Sequence, residues 1–239
     1  MLKVDNVCVS FGGVQALKGV SFTVEDQEVL GLVGPNGAGK TTLFNVFSGV
    51  VKPNQGQVIY NGNNILKSSM HKRVTHGIGR TFQIPQPMHE LTVRENLIVA
   101  QKFGRPDGKV DHKRIDEILE SVNLTRKAEA DAATELALTE RKALEVAKAL
   151  ATEPTLLMLD EVLAGLETIS KRNFMETLKK VREQFNLTMI VIEHDIQTIS
   201  NLCDRVVVFN FGEVIAQGTP EETFSNPEVI RSYTGEDAA

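Results

Sequence analysis

Between an apolar run that ends at Val33 and a stretch, Thr42 to Ser48, that can continue as a helix, the chain reads Gly34-Pro35-Asn36-Gly37-Ala38-Gly39-Lys40-Thr41. No other feature restricts the possible folds as much. The segment fits the pattern GxxxxGK[ST], in which glycines let successive backbone N–H groups curl around phosphate oxygens. The helix that follows adds its positive pole to the same place. Lys40 supplies a mobile cation, and the Thr41 hydroxyl can ligate Mg²⁺.

The surrounding pattern agrees with such a loop. Glu28 to Val33 is nearly continuous in apolar residues, as expected of a buried strand in a parallel sheet. Leu2, Val4, Val7 and Val9 fall near a period of two, Val20, Phe22 and Val24 keep it cleanly, and Gln57 to Tyr60 leads into an Asn61-Gly62 turn. The middle of the chain is helical. Ile115, Ile118, Leu119 and Val122 form one stripe, and Glu140 to Ala151 reads as a helix with Thr139 as N-cap. From Leu156 onward short apolar strands (Leu156 to Leu159, Met189 to Ile192, Val206 to Phe209) alternate with helical segments, one of which carries Phe174, Leu178, Val181 and Phe185. That alternation predicts a parallel sheet with helices on its faces. The final residues, with Pro220 and Pro227, read as small helices with a frayed end.

Composition removes several function classes. With 26 Lys and Arg against 31 Asp and Glu, the net charge is −5, which gives no general footprint for nucleic acid. Cys8 and Cys203 stand apart, with the spacing of neither a disulfide framework nor a zinc ribbon. No run approaches the ~18–20 apolar residues that span a bilayer, and the start MLKVDNVCVS lacks a signal-peptide pattern. The expectation is a protein of the cytoplasm that meets a membrane by docking, without direct insertion.

A second chemical feature is the apolar strand Leu156-Leu157-Met158-Leu159 ending in Asp160 and Glu161. In enzymes with this loop, an Asp at that strand end holds Mg²⁺. The next carboxylate, Glu161, is placed to activate a water for in-line attack on the γ-phosphorus.

Taken in order, these residues resemble the ATP-binding subunits of ABC transporters over nearly the whole chain. Asn6 to Leu17 resembles the family's opening strands, and Phe11 matches the aromatic that stacks on adenine. Thr81-Phe82-Gln83 resembles the Q-loop, which implies that Gln83 reaches Mg²⁺ and the attacking water. Ile192-Glu193-His194-Asp195 resembles the switch segment, which implies that His194 contacts the γ-phosphate. The remaining histidines, His71, His76, His89 and His112, read as surface residues. Ala164 to Glu167 falls where the D-loop lies, with Glu167 in place of the usual Asp or Asn and Val162 in place of a common proline. The resemblance implies ATP and Mg²⁺ as cofactors. Gly34 through Thr42 would hold the nucleotide, Thr41, Gln83 and Asp160 the metal, and Lys40, Gln83, Glu161 and His194 would carry catalysis. The implied fold is an α/β P-loop core, 1–84 and 154–218, with an antiparallel β subdomain. A helical subdomain is inserted at 85–153, and 219–239 forms a C-terminal extension.

One motif departs from the family. Leu136 to Leu150, LALTERKALEVAKAL, aligns with a signature helix that usually reads LSGGQQQRVAIARAL. Ala147 to Leu150 match, but Ala137 replaces the serine, Leu138 and Thr139 the two glycines, and Glu140 a glutamine. In the family this segment completes the ATP site of the facing subunit. The implication is a heterodimer with a second, different ATPase, in which the site on this chain's own phosphate loop is the strong one; a homodimer is the alternative.

Gly77 to Gln83 followed by Glu90 to Leu97 most resembles the subunits of branched-chain amino acid importers, which work with two membrane permeases on the cytoplasmic face of the membrane. The stretch Ile84 to Leu97, stiffened by Pro85 and Pro87, is the expected docking surface for those permeases. Alternatives are a urea or amide importer, a non-transport ABC ATPase, a regulatory subunit that binds ATP without turnover, and a small-molecule kinase. The single phosphate loop and the net charge of −5 disfavour the non-transport ATPase, and the ordered Gln83, Asp160-Glu161 and His194 segments disfavour the kinase, while the altered signature leaves the regulatory subunit open.

Overall fold

A computed structural model describes residues 1–234. In chain order the first elements are β1 (Leu2–Phe11), β2 (Val14–Val24), β3 (Val29–Val33), α1 (Lys40–Ser48), β4 (Gln55–Tyr60), β5 (Asn63–Asn64), α2 (Met70–Thr75) and β6 (Ile78–Arg80). Then come α3 (Val93–Gly104), α4 (His112–Ser121), α5 (Leu138–Ala151), β7 (Leu156–Asp160), α6 (Thr168–Phe185) and β8 (Thr188–Ile192). The chain continues through α7 (Ile196–Leu202), β9 (Arg205–Asn210), β10 (Glu213–Gly218), α8 (Pro220–Phe224) and α9 (Pro227–Thr234). It divides into two compact units, Met1–Arg73 with the residues from Ile190 onward, and Val74–Met189. The architecture is the α/β fold expected, with its antiparallel β and helical subdomains.

The first unit carries an antiparallel sheet in the order β2-β1-β4-β5. Val4 of β1 faces Phe22 on one side and Val58 on the other, and Leu2, Val4, Val7 and Val9 are all buried. Their imperfect period has a local cause. Asn6 sits at φ 49°, and the register shifts between Val4 and Val7, which returns the apolar face to the core after one extra residue. In the same unit β3 runs parallel to β9, and β9 pairs antiparallel with β10. Phe22 packs edge-to-face on both Phe47 and Phe209, at centroid distances of 6.5 and 6.4 Å.

A buried arginine closes α1. Arg73 donates to the carbonyls of Val46 and Phe47, and its Nε donates to Ser68 O at 3.1 Å. Helix ends leave their last carbonyls without intrahelical partners, and here a side chain from 26 or 27 residues away supplies them. Burial pulls the Arg73 guanidinium below the ordinary arginine value. Replacing Arg73 by Met is expected to cost about 2–3 kcal/mol, because two buried carbonyls lose their donors. Urea denaturation of the full chain measures it.

In the second unit β6 and β7 pair in parallel, with Ile78 opposite Leu156 and Arg80 opposite Met158. Helices α3, α4 and α5 pack on one another, and α4 also meets α6. The Ile115–Leu119 stripe is buried as expected, and Val122, which caps α4, is buried with it. One reading is corrected. Thr139 is not an N-cap: α5 begins two residues earlier than expected, at Leu138, with Ala137 in the cap position. The cause is Glu140, whose carboxylate accepts the Ala137 N–H at 2.9 Å and so closes the first turn upstream of Thr139. Helix α3 begins inside the expected docking stretch Ile84 to Leu97, after its two prolines, and takes up residues 93–97 of it. It is started by a capping box in which Thr92 and Glu95 each take the other's backbone N–H.

Helices α8 and α9 match the small C-terminal helices expected, and the frayed end expected after them lies outside the described residues. Among the described residues no helix is long and apolar enough to cross a membrane.

Candidate nucleotide site

The phosphate loop leaves β3, every residue of which is buried, and enters α1 through Gly39 at φ 107°. Two glycines are compelled by space as well as by angle. A Cβ on Gly34 (φ 140°) would lie 2.1 Å from the Phe209 carbonyl oxygen, and one on Gly39 would lie 2.7 Å from the Ala16 carbonyl oxygen. The loop is further braced by Gly212, whose N–H donates to Ala38 O at 3.0 Å and whose carbonyl accepts the Lys18 N–H at 2.9 Å. Gly39, the N-cap of α1, brings no side chain to the helix start, and a helix N-terminus of this kind attracts an anion. Lys40 is 5% exposed, and its ammonium donates to Gly34 O at 2.6 Å and Pro35 O at 2.9 Å. Asn36, Gly37 and Thr41 are exposed, Pro35 and Thr42 half-buried, and Ala38 buried.

Two further candidates belong to this unit. Phe11, at the end of β1, is 52% exposed, which fits a ring kept for a flat ligand and excludes a place in the core. His194 is exposed between β8 and α7, directly before Asp195, which caps α7 by accepting from Gln197 N–H and the Thr198 hydroxyl. His71, His76, His89 and His112 are exposed, as expected of surface residues.

Tyr233 was missed by sequence reading, because nothing in 219–239 marked it. It sits in α9, which packs against α8 and β10, and its phenol oxygen lies near the backbone N–H of Gly34. Burial raises the phenol above the ordinary tyrosine value, and the Gly34 N–H opposes that shift. A raised folded-state value means that the protonated phenol is the form the fold favours. Its contribution is complete below the unfolded value of about 10 and is lost as pH rises through the folded one. The melting temperature is therefore expected to fall on alkaline titration, with a slope that Tyr233→Phe reduces.

The carboxylate pair belongs to the second unit. Asp160 is buried at the end of β7, and its side chain meets Arg80 Nη2 at 2.9 Å. Its backbone N–H donates to the Thr81 hydroxyl at 3.2 Å, while Thr81 N–H donates to Met158 O at 2.9 Å, so the ends of β6 and β7 are stitched together. The Arg80 guanidinium also lies over the Phe82 ring, 5.4 Å from its centroid. This Arg80–Asp160 pair carries no sequence pattern and was not anticipated.

Glu161 follows at φ 51°, a left-handed conformation that non-glycine residues hold only against strain. Its carboxylate accepts from Gln83 Nε2 at 2.6 Å, and its carbonyl accepts from Lys142 Nζ at 3.1 Å and Ala164 N–H at 3.2 Å. Of the expected catalytic residues, the structure thus brings Gln83 and Glu161 into direct contact. For the implied Mg²⁺, the Thr41 hydroxyl, the Gln83 amide oxygen and the Asp160 carboxylate are all hard oxygen donors, the kind this ion takes while keeping several waters. Among the described residues no cluster of three or more His, Cys, Asp or Glu forms a denser metal site.

At the head of α5, Ala137 offers no side-chain acceptor. Glu140 folds back on the Ala137 amide, where its charge meets the positive end of its own helix. Arg141 reaches the carbonyls of Leu136 and Ala133 at 2.9 and 3.0 Å and fixes the turn that leads in.

Comparison with known proteins gives the family. The ABC transporter family profile matches residues 17–164, and the profile of the branched-chain amino acid ATP-binding cassette transporter C-terminus matches residues 213–239. The chain is 38% identical to the high-affinity branched-chain amino acid transport ATP-binding protein BraF of Pseudomonas aeruginosa, over 99% of this chain and 98% of that one. It is 36% identical to LivG of Escherichia coli K12, which carries the same description, with the same coverage. Among solved structures, the ADP conformation of MJ1267, an ATP-binding cassette of an ABC transporter, superposes with a TM-score of 0.89 at 30% identity, covering 99% of each chain. The dimeric bacterial ABC transporter cassette MJ0796 gives 0.81 at 26% identity, covering 92% of this chain and 99% of that one. The chain belongs to the ABC transporter family and is one of its ATP-binding cassettes, an ATPase.

Proposed function

We propose that this chain powers an importer of branched-chain amino acids, as one of two different ATPases attached to two membrane permeases on the cytoplasmic face. The observation that carries this reading is the likeness to BraF and LivG along essentially the whole chain, including the C-terminal segment. MJ0796, a relative solved as a dimer, supports a paired arrangement.

In this mechanism the loop amides and Lys40 hold the ATP phosphates, with Gly34 to Thr42 as the cradle. Phe11 stacks on the adenine. Thr41, Gln83 and Asp160 would hold Mg²⁺, which would supply charge neutralisation on the phosphate oxygens. Glu161 takes the proton of the attacking water while Gln83, bonded to its carboxylate, orients it. His194 contacts the γ-phosphate and keeps water and base in register. The helical subdomain, 85–153, passes the motion to the permeases. Ala137, Leu138 and Thr139 present a poorer phosphate contact to a facing subunit than serine and glycines do. The site built on this chain's own loop is accordingly the stronger of the pair.

The test is gentle affinity purification of this chain from the membranes of cells that make it, with its partners identified by mass spectrometry. Two polytopic permeases and a second ATPase with an LSGGQ-like signature are expected, together with ATPase activity stimulated by a branched-chain amino acid and its binding protein. Stimulation by urea or amides would move the assignment to that branch. Ribosomal or DNA-repair partners with no membrane protein would overturn the transport reading.

A further inference from the structure

The segment after Gln83 reads Ile84-Pro85-Gln86-Pro87-Met88. Two prolines fix φ on either side of Gln86 and remove their own N–H groups, so Gln86 offers the one donor between Ile84 and Met88. Both of its backbone groups are held by α5. Its N–H donates to Glu145 Oε1 at 2.8 Å, and its carbonyl accepts from Lys148 Nζ at 2.6 Å. Lys148 also pairs with the same Glu145 oxygen at 2.6 Å, which closes a ring of three interactions around one residue of the loop. Glu145 is 4% exposed, so this is a desolvated pair with a defined geometry and differs from a surface ion pair. Farther along, Met88 N–H donates to the buried Asn96 of α3 at 2.9 Å.

One turn earlier on α5, the buried Lys142 donates to the carbonyl of Glu161. That carbonyl belongs to the strained residue at φ 51°, a conformation that persists only where its surroundings over-determine it. Residues 142, 145 and 148 follow one another at intervals of three, along neighbouring positions of one side of the helix.

We infer that Lys142, Glu145 and Lys148 of α5 are positioning residues for ATP hydrolysis. Lys142 sets the backbone of Glu161, and Glu145 with Lys148 anchors the loop that delivers Gln83 to the Glu161 carboxylate. The helix that begins in the altered signature therefore holds the general base of its own chain and the partner of that base. A shift of α5 moves both ends of the Gln83–Glu161 hydrogen bond. This inference rests on the proposed role of Glu161.

The test uses the full chain in its purified transporter and compares kcat and KM for ATP. Lys142→Met and Lys148→Met are each expected to lower kcat about tenfold or more, with KM within about twofold, because neither side chain touches the nucleotide. Lys148→Arg, which keeps charge and donors, is expected to restore most of the kcat. In a Gln83→Ala background Lys148→Met is expected to cost little further, since the loop then has nothing to deliver. Lys148 is the less enclosed of the two lysines, so this arm stands even if Lys142→Met does not fold. Wild-type kcat in Lys148→Met, or full additivity with Gln83→Ala, overturns the inference while Glu161→Gln remains inactive. Normal turnover by Glu161→Gln itself overturns the role of Glu161 and this inference together.

Discussion

Glu161→Gln is expected to lower ATP turnover by about a hundredfold or more while leaving ATP affinity within about twofold. The substitution preserves size and can keep the Gln83 contact, because the new amide oxygen still accepts the hydrogen bond that the carboxylate takes at 2.6 Å. It also preserves the backbone, since Lys142 and Ala164 hold the carbonyl of this residue and not its side chain. What it removes is the basicity needed to take a proton from water. Phosphate release by the purified transporter reads the first quantity, and equilibrium binding of a fluorescent ATP analogue reads the second. Turnover close to wild type would assign the base to another group. Loss of binding along with turnover would mean that the carboxylate supports the fold of the site and not the chemistry.

The second large effect concerns the support of the phosphate loop. Gly34→Ala is expected to destabilise the chain by about 3 kcal/mol or more, from left-handed strain and overpacking combined. The added methyl would lie 2.1 Å from the Phe209 carbonyl oxygen, a backbone atom in the buried strand β9 that has little room to retreat. Relief requires moving either the strand or the loop, and a displaced loop no longer aims its amides at phosphate. Urea denaturation gives the energy, and nucleotide binding by whatever protein folds gives the functional cost. A destabilisation below about 0.5 kcal/mol would show that the loop can shift freely on β9.

The phosphate loop and the Asp160-Glu161 strand end were legible because their chemistry is local. Consecutive residues make the cradle, and an unbroken apolar run makes the strand. Helix α3 was not legible because two of the residues it buries are polar. Asn96 and Gln101 look like solvent positions in a hydrophobic pattern, yet Asn96 accepts the Met88 N–H and Gln101 accepts the Asp111 N–H. The start of α5 differs for a related reason: Thr139 is the better capping residue by type, but a carboxylate at position 140 closes the turn two residues earlier. Arg73, Arg80 and Tyr233 act at positions distant in sequence, on Val46, Asp160 and Gly34 respectively, and no periodicity announces a pairing of that kind. The resemblance to ABC transporter subunits supplied the order of the motifs. It could not supply the links from α5 to Gln86 and Glu161, which depend on Lys142, Glu145 and Lys148.

The contact between Tyr233 and Gly34 changes how the end of this chain should be handled at the bench. A deletion that stops before residue 233 takes away a phenol that lies beside the first amide of the nucleotide cradle, whatever its purpose. A purification handle or fluorescent reporter fused behind α9 loads the same helix. Enzymatic constants measured on such proteins would fold the cost of the fusion into the apparent affinity for ATP. A reporter inserted at an exposed turn such as Gly12-Gly13 would avoid α9, but it would sit beside Phe11, so kinetic work is best done on the untagged chain.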